Sequence, residues 1–166
     1  TALMFATSKG NTKIVELLLE NKANIDLQTK FGSTALIFAV DKGHTKIVEL
    51  LIENKANLDL QNKDGQTALL VAVDQDHKAI AKLLIENKAN LDLQSNYGKT
   101  ALMLAVDKGH TETAKLLIDN KANLNLQSNY GTTALIIAAG RGYTEIVEYL
   151  IEKGANVNLK NKKDAT

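Results

Sequence analysis

Thr34-Ala35-Leu36 stands 33 residues after Thr1-Ala2-Leu3 and 33 before Thr67-Ala68-Leu69. The same three residues return at Thr100-Ala101-Leu102 and Thr133-Ala134-Leu135, and Thr166 falls on the next beat. A fixed period of about 20 to 50 residues marks a chain of stacked supersecondary units, none able to bury its apolar face alone. Residues 1–165 divide into five such units, 1–33, 34–66, 67–99, 100–132 and 133–165, with no insertion.

The second unit shows what one unit contains. Thr34 suits an N-cap, because its hydroxyl can accept from a free N–H of the first helical turn. In Ala35-Leu36-Ile37-Phe38-Ala39-Val40, the spacing of Leu36, Ala39 and Val40 predicts a short helix with one apolar face. Asp41-Lys42-Gly43-His44 breaks it. Thr45 to Glu53 then reads as an amphipathic helix, with Ile47, Val48 and Leu51 inward and Lys46, Glu49 and Glu53 outward. Leu58-Asp59-Leu60-Gln61 alternates like an extended arm, and Asn62-Lys63-Asp64-Gly65 is a turn cluster leading to Thr67. The fold class is therefore all-α: a solenoid of helix-turn-helix pairs joined by short hairpin-like turns, closed by in-register stacking.

Composition narrows what such a chain does. Apolar residues make up 45% of it, enough for a core, and 20 basic against 19 acidic residues leave a net charge of +1. That balance provides no bulk field for nucleic acid or an anionic membrane. Cysteine is absent, so disulfides, thiolate catalysis and Cys-ligated zinc are excluded. No apolar run approaches the ~18 residues of a membrane span.

These residues resemble the ankyrin repeat. The resemblance rests on Thr67-Ala68-Leu69 with Ala72, on Gly109-His110, on Ile47-Val48 with Leu50-Leu51, and on Gly154-Ala155-Asn156-Val157-Asn158, and it runs through the whole chain. It implies one domain over 1–166, intracellular and cytoplasmic. Three departures stand out. Where the family has Pro after the capping Thr, every unit has Ala, the best helix former, and the following His is Met4, Ile37, Leu70, Met103 or Ile136. Where it has Gly after the second helix, this chain has Lys22, Lys55, Lys88 and Lys121, keeping only Gly154. Lysine in a left-handed conformation there costs roughly 1 kcal/mol against Gly. In the third unit Asp76 replaces the Gly between the helices.

No residue set supports catalysis. His44, His77 and His110 occupy one repeat position, so a stack holds them roughly 8–10 Å apart, the spacing of packed helices. Zinc needs its ligands at about 2 Å from one centre. Structural or capping roles are expected instead. Asp41, Asp74 and Asp107 form a similar ladder, too wide for a shared-proton pair or a single cation. Ser8, Ser33, Ser95 and Ser128 have no His and Asp arranged around them, and no Gly-rich phosphate loop opens a helix. Catalytic, cofactor and metal residues are all read as none.

Binding has better candidates. In the family, partners are held by the turn tips and the concave face of the first helices. Core positions barely change from unit to unit, whereas the tips read Lys30-Phe31, Lys63-Asp64, Asn96-Tyr97, Asn129-Tyr130 and Lys162-Lys163. An aromatic at a solvent-facing turn beside Gly32, Gly98 or Gly131 is not demanded by the fold, and rings of this kind make good anchors. With Phe31, Asp64, Tyr97 and Tyr130 go Ser33, Gln66, Lys99 and Thr132 beside the tips. The loop residues Asp41-Lys42, Asp74-Gln75, Asp107-Lys108 and Arg141 complete one mixed-charge groove. The expected role is a non-enzymatic scaffold binding another protein, without nucleic acid, membrane or cofactor, monomeric or weakly associating end to end. Two alternatives stand beside it. The near-duplicates Asn54–Gln61 and Asn87–Gln94 suit a structural spacer. Leu150, Val157 and Asn158 resemble the sites used by asparaginyl hydroxylases. Neither end carries a polar capping face, Asp164 stands where other turns have Gly, and Thr166 is in phase for a sixth unit, so a longer array is expected.

Overall fold

A computed structural model describes residues 1–162; the expectations placed on Lys163, Asp164 and Thr166 lie outside them. Ten helices run through the described residues as five pairs. They are α1 (Ala2–Ser8) with α2 (Thr12–Glu20), α3 (Ala35–Asp41) with α4 (Thr45–Glu53), and α5 (Ala68–Asp74) with α6 (Lys78–Glu86). The last two pairs are α7 (Ala101–Asp107) with α8 (Thr111–Asp119), and α9 (Ala134–Arg141) with α10 (Thr144–Glu152). No strand occurs among the described residues.

The recurring Thr starts each pair, as its chemistry predicts. Thr34 Oγ1 accepts from the Ile37 N–H at 3.2 Å, and Thr67, Thr100 and Thr133 repeat the bond to Leu70, Met103 and Ile136. Such a cap contributes about 1 kcal/mol. It is enough, with Ala in the next place, to begin a helix of only seven residues.

The second helices start differently. Asn11, His44, His77, His110 and Tyr143 hold their N-cap positions, and none makes a side-chain capping bond. The histidines are therefore structural and not capping. Two of the rings lie on the glycine of the preceding repeat: a Cβ on Gly10 would stand 2.9 Å from His44 Cε1, and one on Gly43 3.1 Å from His77 Cε1. Tyr143 lies against Gly109 in the same way.

Four of the five second helices end on an asparagine whose amide turns back, and α10 ends on Lys153. Asn54 Nδ2 donates to Leu50 O at 2.8 Å, and Asn21, Asn87 and Asn120 do the same to Leu17, Leu83 and Leu116. The next residue is left-handed in each case: Lys22, Lys55, Lys88 and Lys121 have φ of 60°, 64°, 67° and 70°. Asp76 takes φ 56° in place of the inter-helix glycine.

The chain divides into two compact units, Thr1–Ala89 and Asn90–Thr166. In the first, α1, α3 and α5 lie side by side as one layer and α2, α4 and α6 as a second. In the second, α7 packs on α9 and α8 on α10, again in two layers. The core lies between the layers. Leu36, Ala39 and Val40 meet Ile47, Val48 and Leu51 there, all of them buried. Lys46 and Glu53 face solvent and Glu49 is half-buried, so the stripe on the second helix falls on the expected face.

One expectation needs correcting. Leu58-Asp59 is a turn and not an extended arm. Asn57 Oδ1 accepts from the Asp59 N–H at 2.9 Å, a local bond that pulls the backbone out of the extended form. The alternation of Leu58 and Leu60 therefore reflects a turn with two half-buried leucines.

Candidate protein-interaction surface

The tips are built by main-chain bonds. Thr29 N–H donates to Ser33 O at 3.0 Å and Gly32 N–H to Thr29 O at 2.8 Å, closing a hairpin-like turn with Phe31 at its apex. The pattern recurs at Asn62–Gln66, Ser95–Lys99 and Ser128–Thr132. Successive tips are then stitched together. Lys63 N–H donates to Phe31 O at 2.9 Å, Asn129 N–H to Tyr97 O at 3.1 Å and Lys162 N–H to Tyr130 O at 3.0 Å. Glycine after the aromatic is required twice over. Gly98 has φ 72°, and a Cβ there would stand 2.6 Å from the Asn129 backbone nitrogen.

Glutamine side chains reinforce the stitching. Gln28 Nε2 donates to Gly32 O within its own tip at 2.7 Å and to Gln61 O of the next repeat at 2.9 Å. Gln94 bonds in the same way to Gly98 and Gln127, and Gln127 to Gly131 and Lys160. Asp26 accepts from the Asn57 N–H, Asp92 from that of Asn123 and Asn125 from that of Asn156. Reading each unit separately misses these bonds. Their one signal is Gln28, Gln61, Gln94 and Gln127 holding one repeat position.

None of this stitching uses an aromatic ring. Phe31, Tyr97 and Tyr130 remain 62%, 66% and 68% exposed. Asp64, Asp41, Lys42, Gln75, Lys108 and Arg141 are exposed as well, while Ser33, Gln66, Asp74, Lys99, Asp107 and Thr132 are half-buried.

Two recesses gather part of this set. In the first unit Ser33, Asp41, Gln66, Asp74 and Gln75 line a recess of about 220 Å³, together with Asn62 and with Ile37, Phe38 and Val71. In the second unit Lys99, Asp107, Tyr130 and Thr132 line one of about 190 Å³, with Ser128 and Ile137. Phe31, Lys42, Asp64, Tyr97, Lys108 and Arg141 stand outside both. Phe38 and Ile137 are absent from the sequence-predicted set. They share a position with Phe5, Val71 and Leu104, off the apolar stripe that the core uses, and Phe5 is 68% exposed.

Charge is distributed unequally between the two recesses. Asp107 takes Arg141 at 2.6 Å on one carboxylate oxygen and Lys99 at 2.9 Å on the other. The Arg141 hydrogen bond first, then that of Lys99, holds its carboxyl below the ordinary carboxylate range. In the first unit Asp41 pairs only with its neighbour Lys42 among the ion pairs seen there, at 2.9 Å.

A second cluster, unforeseen in the sequence, lies on α8 and α10. Tyr149 donates its hydroxyl to Asp119 at 2.6 Å, and Lys153 reaches the same carboxylate at 3.2 Å. The Tyr149 bond first, then that of Lys153, lowers the Asp119 carboxyl. Lys115 and Lys153 also lie 5.4 and 5.0 Å from the Tyr149 ring centre, and Lys115 meets Glu145 at 2.6 Å. These groups satisfy one another and join two repeats.

Stacked helix pairs with a repeated cap, a repeated glycine contact and stitched tips define a tandem helical-repeat protein. A family model described as ankyrin repeats (3 copies) matches residues 3–95 and again 87–161. The chain belongs to the ankyrin-repeat family, and its fold is an ankyrin-repeat solenoid. A search of curated proteins returns no match. Ankyrin repeats are in general protein–protein interaction modules and typically non-catalytic. No helix among the described residues is long and apolar enough to cross a membrane.

Proposed function

We propose that this chain is a non-enzymatic scaffold that binds another protein through the turn tips and the face of the first helices beside them. The observation that carries the reading is the exposure of Phe31, Tyr97 and Tyr130 on turns whose own bonds are all made by backbone and polar side chains. Rings placed so add contact area and lose little entropy on binding, because the turn beneath them is already ordered. The recesses beside the tips supply polar groups to orient a partner.

A pure spacer is less well supported. The near-duplicates Asn54–Gln61 and Asn87–Gln94 suggested it, but their members have framework work. Asn54 and Asn87 close helices, and Gln61 and Gln94 hold tips. Their repetition follows from stacking. It carries no information about whether the remaining surface binds.

The test compares the chain with its Phe31→Ser/Tyr97→Ser/Tyr130→Ser variant, in affinity capture and in thermal melting. Exposed substitutions of this kind stay within about 0.5 kcal/mol each. Expected is a nearly unchanged melting point and loss of the captured partner. A collapsed melting point would show that the rings are packing elements, and undiminished capture would place the interface elsewhere.

A further inference from the structure

We propose that the recess of the second unit receives an aspartate or glutamate side chain from the bound protein, its carboxylate on Arg141 and Lys99 and its stem along Ile137. The proposal rests on the binding role argued above and adds the chemistry of what is bound.

The first ground is a count of charges. Arg141 and Lys99 pair with the same residue, Asp107, at 2.6 and 2.9 Å, so two cations share one carboxylate. Neither pairs with another acid among the described residues, which leaves one positive charge in excess. Donors are in excess too. A guanidinium has five N–H groups and an ammonium three, and each here gives one to Asp107. Tyr130 and Thr132 add hydroxyl donors to the lining, and Ile137 gives it an apolar wall. Lys99 lies within that lining and is 36% exposed, so solvent ions screen it less than a cation on an open surface. A basic segment would meet like charge here, and a purely apolar one would take water from the cations without replacing it.

The second ground is a comparison between repeats. Asp41 and Asp107 share a repeat position with Gly140, and Lys42 shares the next one with Arg141. In the second repeat those two positions meet each other, Asp41 with Lys42 at 2.9 Å. In the fifth repeat glycine stands where the carboxylate would be. Arg141 therefore reaches back across one repeat to an aspartate that Lys99 already holds. A Cβ built on Gly140 has no packing neighbour within 4 Å among the described residues, so the approach to Arg141 from that side is open. A carboxylate entering there restores the one-to-one pairing that the second repeat makes for itself.

The experiment selects a displayed random-peptide library against the full 166-residue chain and sequences what is enriched. Enriched peptides are synthesised, mapped by amide chemical shifts and titrated by fluorescence anisotropy well below the melting range. Two variants are titrated beside the wild type. Lys99→Gln/Arg141→Gln removes both cations, and its new residues already stand at the same repeat positions as Gln66 and Gln75. Asp107→Asn keeps both cations and removes the internal carboxylate that competes for them. The proposal expects enriched Asp or Glu, shifts at Lys99, Tyr130, Ile137 and Arg141, and affinity that falls with salt. The cation-free variant should lose about tenfold or more, the usual worth of a charge-assisted hydrogen bond. Asp107→Asn should bind at least as tightly as wild type, whereas a clasp that serves only the fold would lose binding when it is broken. Peptides that shift the first helices and tips but lack acidic residues overturn the carboxylate site and leave the binding face standing. So do acidic peptides that keep their affinity without the cations or lose it in Asp107→Asn. Enrichment of nothing, or of peptides that shift only other regions, overturns both.

Discussion

The four left-handed lysines offer a direct test of how strain is stored in this repeat. Lys22, Lys55, Lys88 and Lys121 have φ between 60° and 70°, and the fifth unit has Gly154 at φ 92° in the same place. An L-residue in that region costs about 1–2 kcal/mol. Replacing it by glycine recovers that cost but loosens the unfolded chain, which returns about 0.4–1 kcal/mol. The net gain expected for Lys55→Gly is therefore about 0.5–1 kcal/mol. No packing opposes it: all four lysines are exposed, and the Lys55 N–H keeps its 2.9 Å bond to Ile52 O. The sites share no partners, so their effects should add to about 2–4 kcal/mol for the quadruple variant. In a domain of this size that raises the melting point on the order of 10 °C. Circular dichroism melts and urea titrations of Lys55→Gly, the quadruple variant and a Lys55→Ala control would decide it. Alanine has the same left-handed penalty as lysine, so the control should gain nothing. Equal stabilisation by Ala and Gly would trace the effect to lysine charge, and no gain with Gly would show that the backbone strain is absent.

Further expectations follow from burial and charge. Leu51→Ala and Leu84→Ala remove side chains that are 0% exposed and should each cost about 2–5 kcal/mol; because repeats couple to their neighbours, calorimetry should show a broadened or split transition. Thr7 is 0% exposed and its hydroxyl has no hydrogen-bond partner among the described residues, while Val40, Val73 and Val106 hold the same repeat position. Thr7→Val should therefore stabilise by about 1 kcal/mol in urea titration, and a loss would mean that the hydroxyl is bonded. Asp107 has a lowered carboxyl in the folded state, so its contribution is present above the unfolded carboxylate pKa of about 3.9 and is lost as pH falls through the folded value. Asp107→Asn should accordingly melt lower than wild type at neutral pH and converge with it in strong acid, and a gap that persists in acid would assign the effect to shape.

What was legible in the sequence follows from how local each signal is. The Thr caps, the Leu36-Ala39-Val40 stripe and the Ile47-Val48-Leu51 stripe each rest on contacts within one turn or face, so a single unit discloses them. The left-handed lysines were legible for the same reason, since a residue after a helix end has few conformations to choose from. The Leu58-Asp59 turn was not. Alternation reports burial at every second position, and the Asn57 side chain competes with the extended backbone in a way that alternation does not register.

The candidate site shows the opposite pattern, because its chemistry lies between repeats. Asp41, Asp74 and Asp107 look identical as a ladder of loop charges, and only the stacked structure distinguishes them. Asp107 receives Lys99 from beside a tip and Arg141 from the end of α9, so its charge is met within the molecule, whereas Ser33 and Gln75 leave Asp41 with its weak neighbour pair. Phe38 was overlooked for a related reason. Placed among apolar residues of a short helix it reads as core, and it becomes surface only once Leu36, Ala39 and Val40 are seen to fill the interior. Gln28, Gln94 and Gln127 hold one repeat position, and each bonds from its own tip to the next repeat, so stacking itself favours glutamine there. The side chains of Phe31, Tyr97 and Tyr130 take no part in this stitching, and the residue at their position differs between units. A chain of this kind therefore divides by repeat position: sameness builds the stack, and difference between units is left to the tips and loops, where the proposed interaction surface lies.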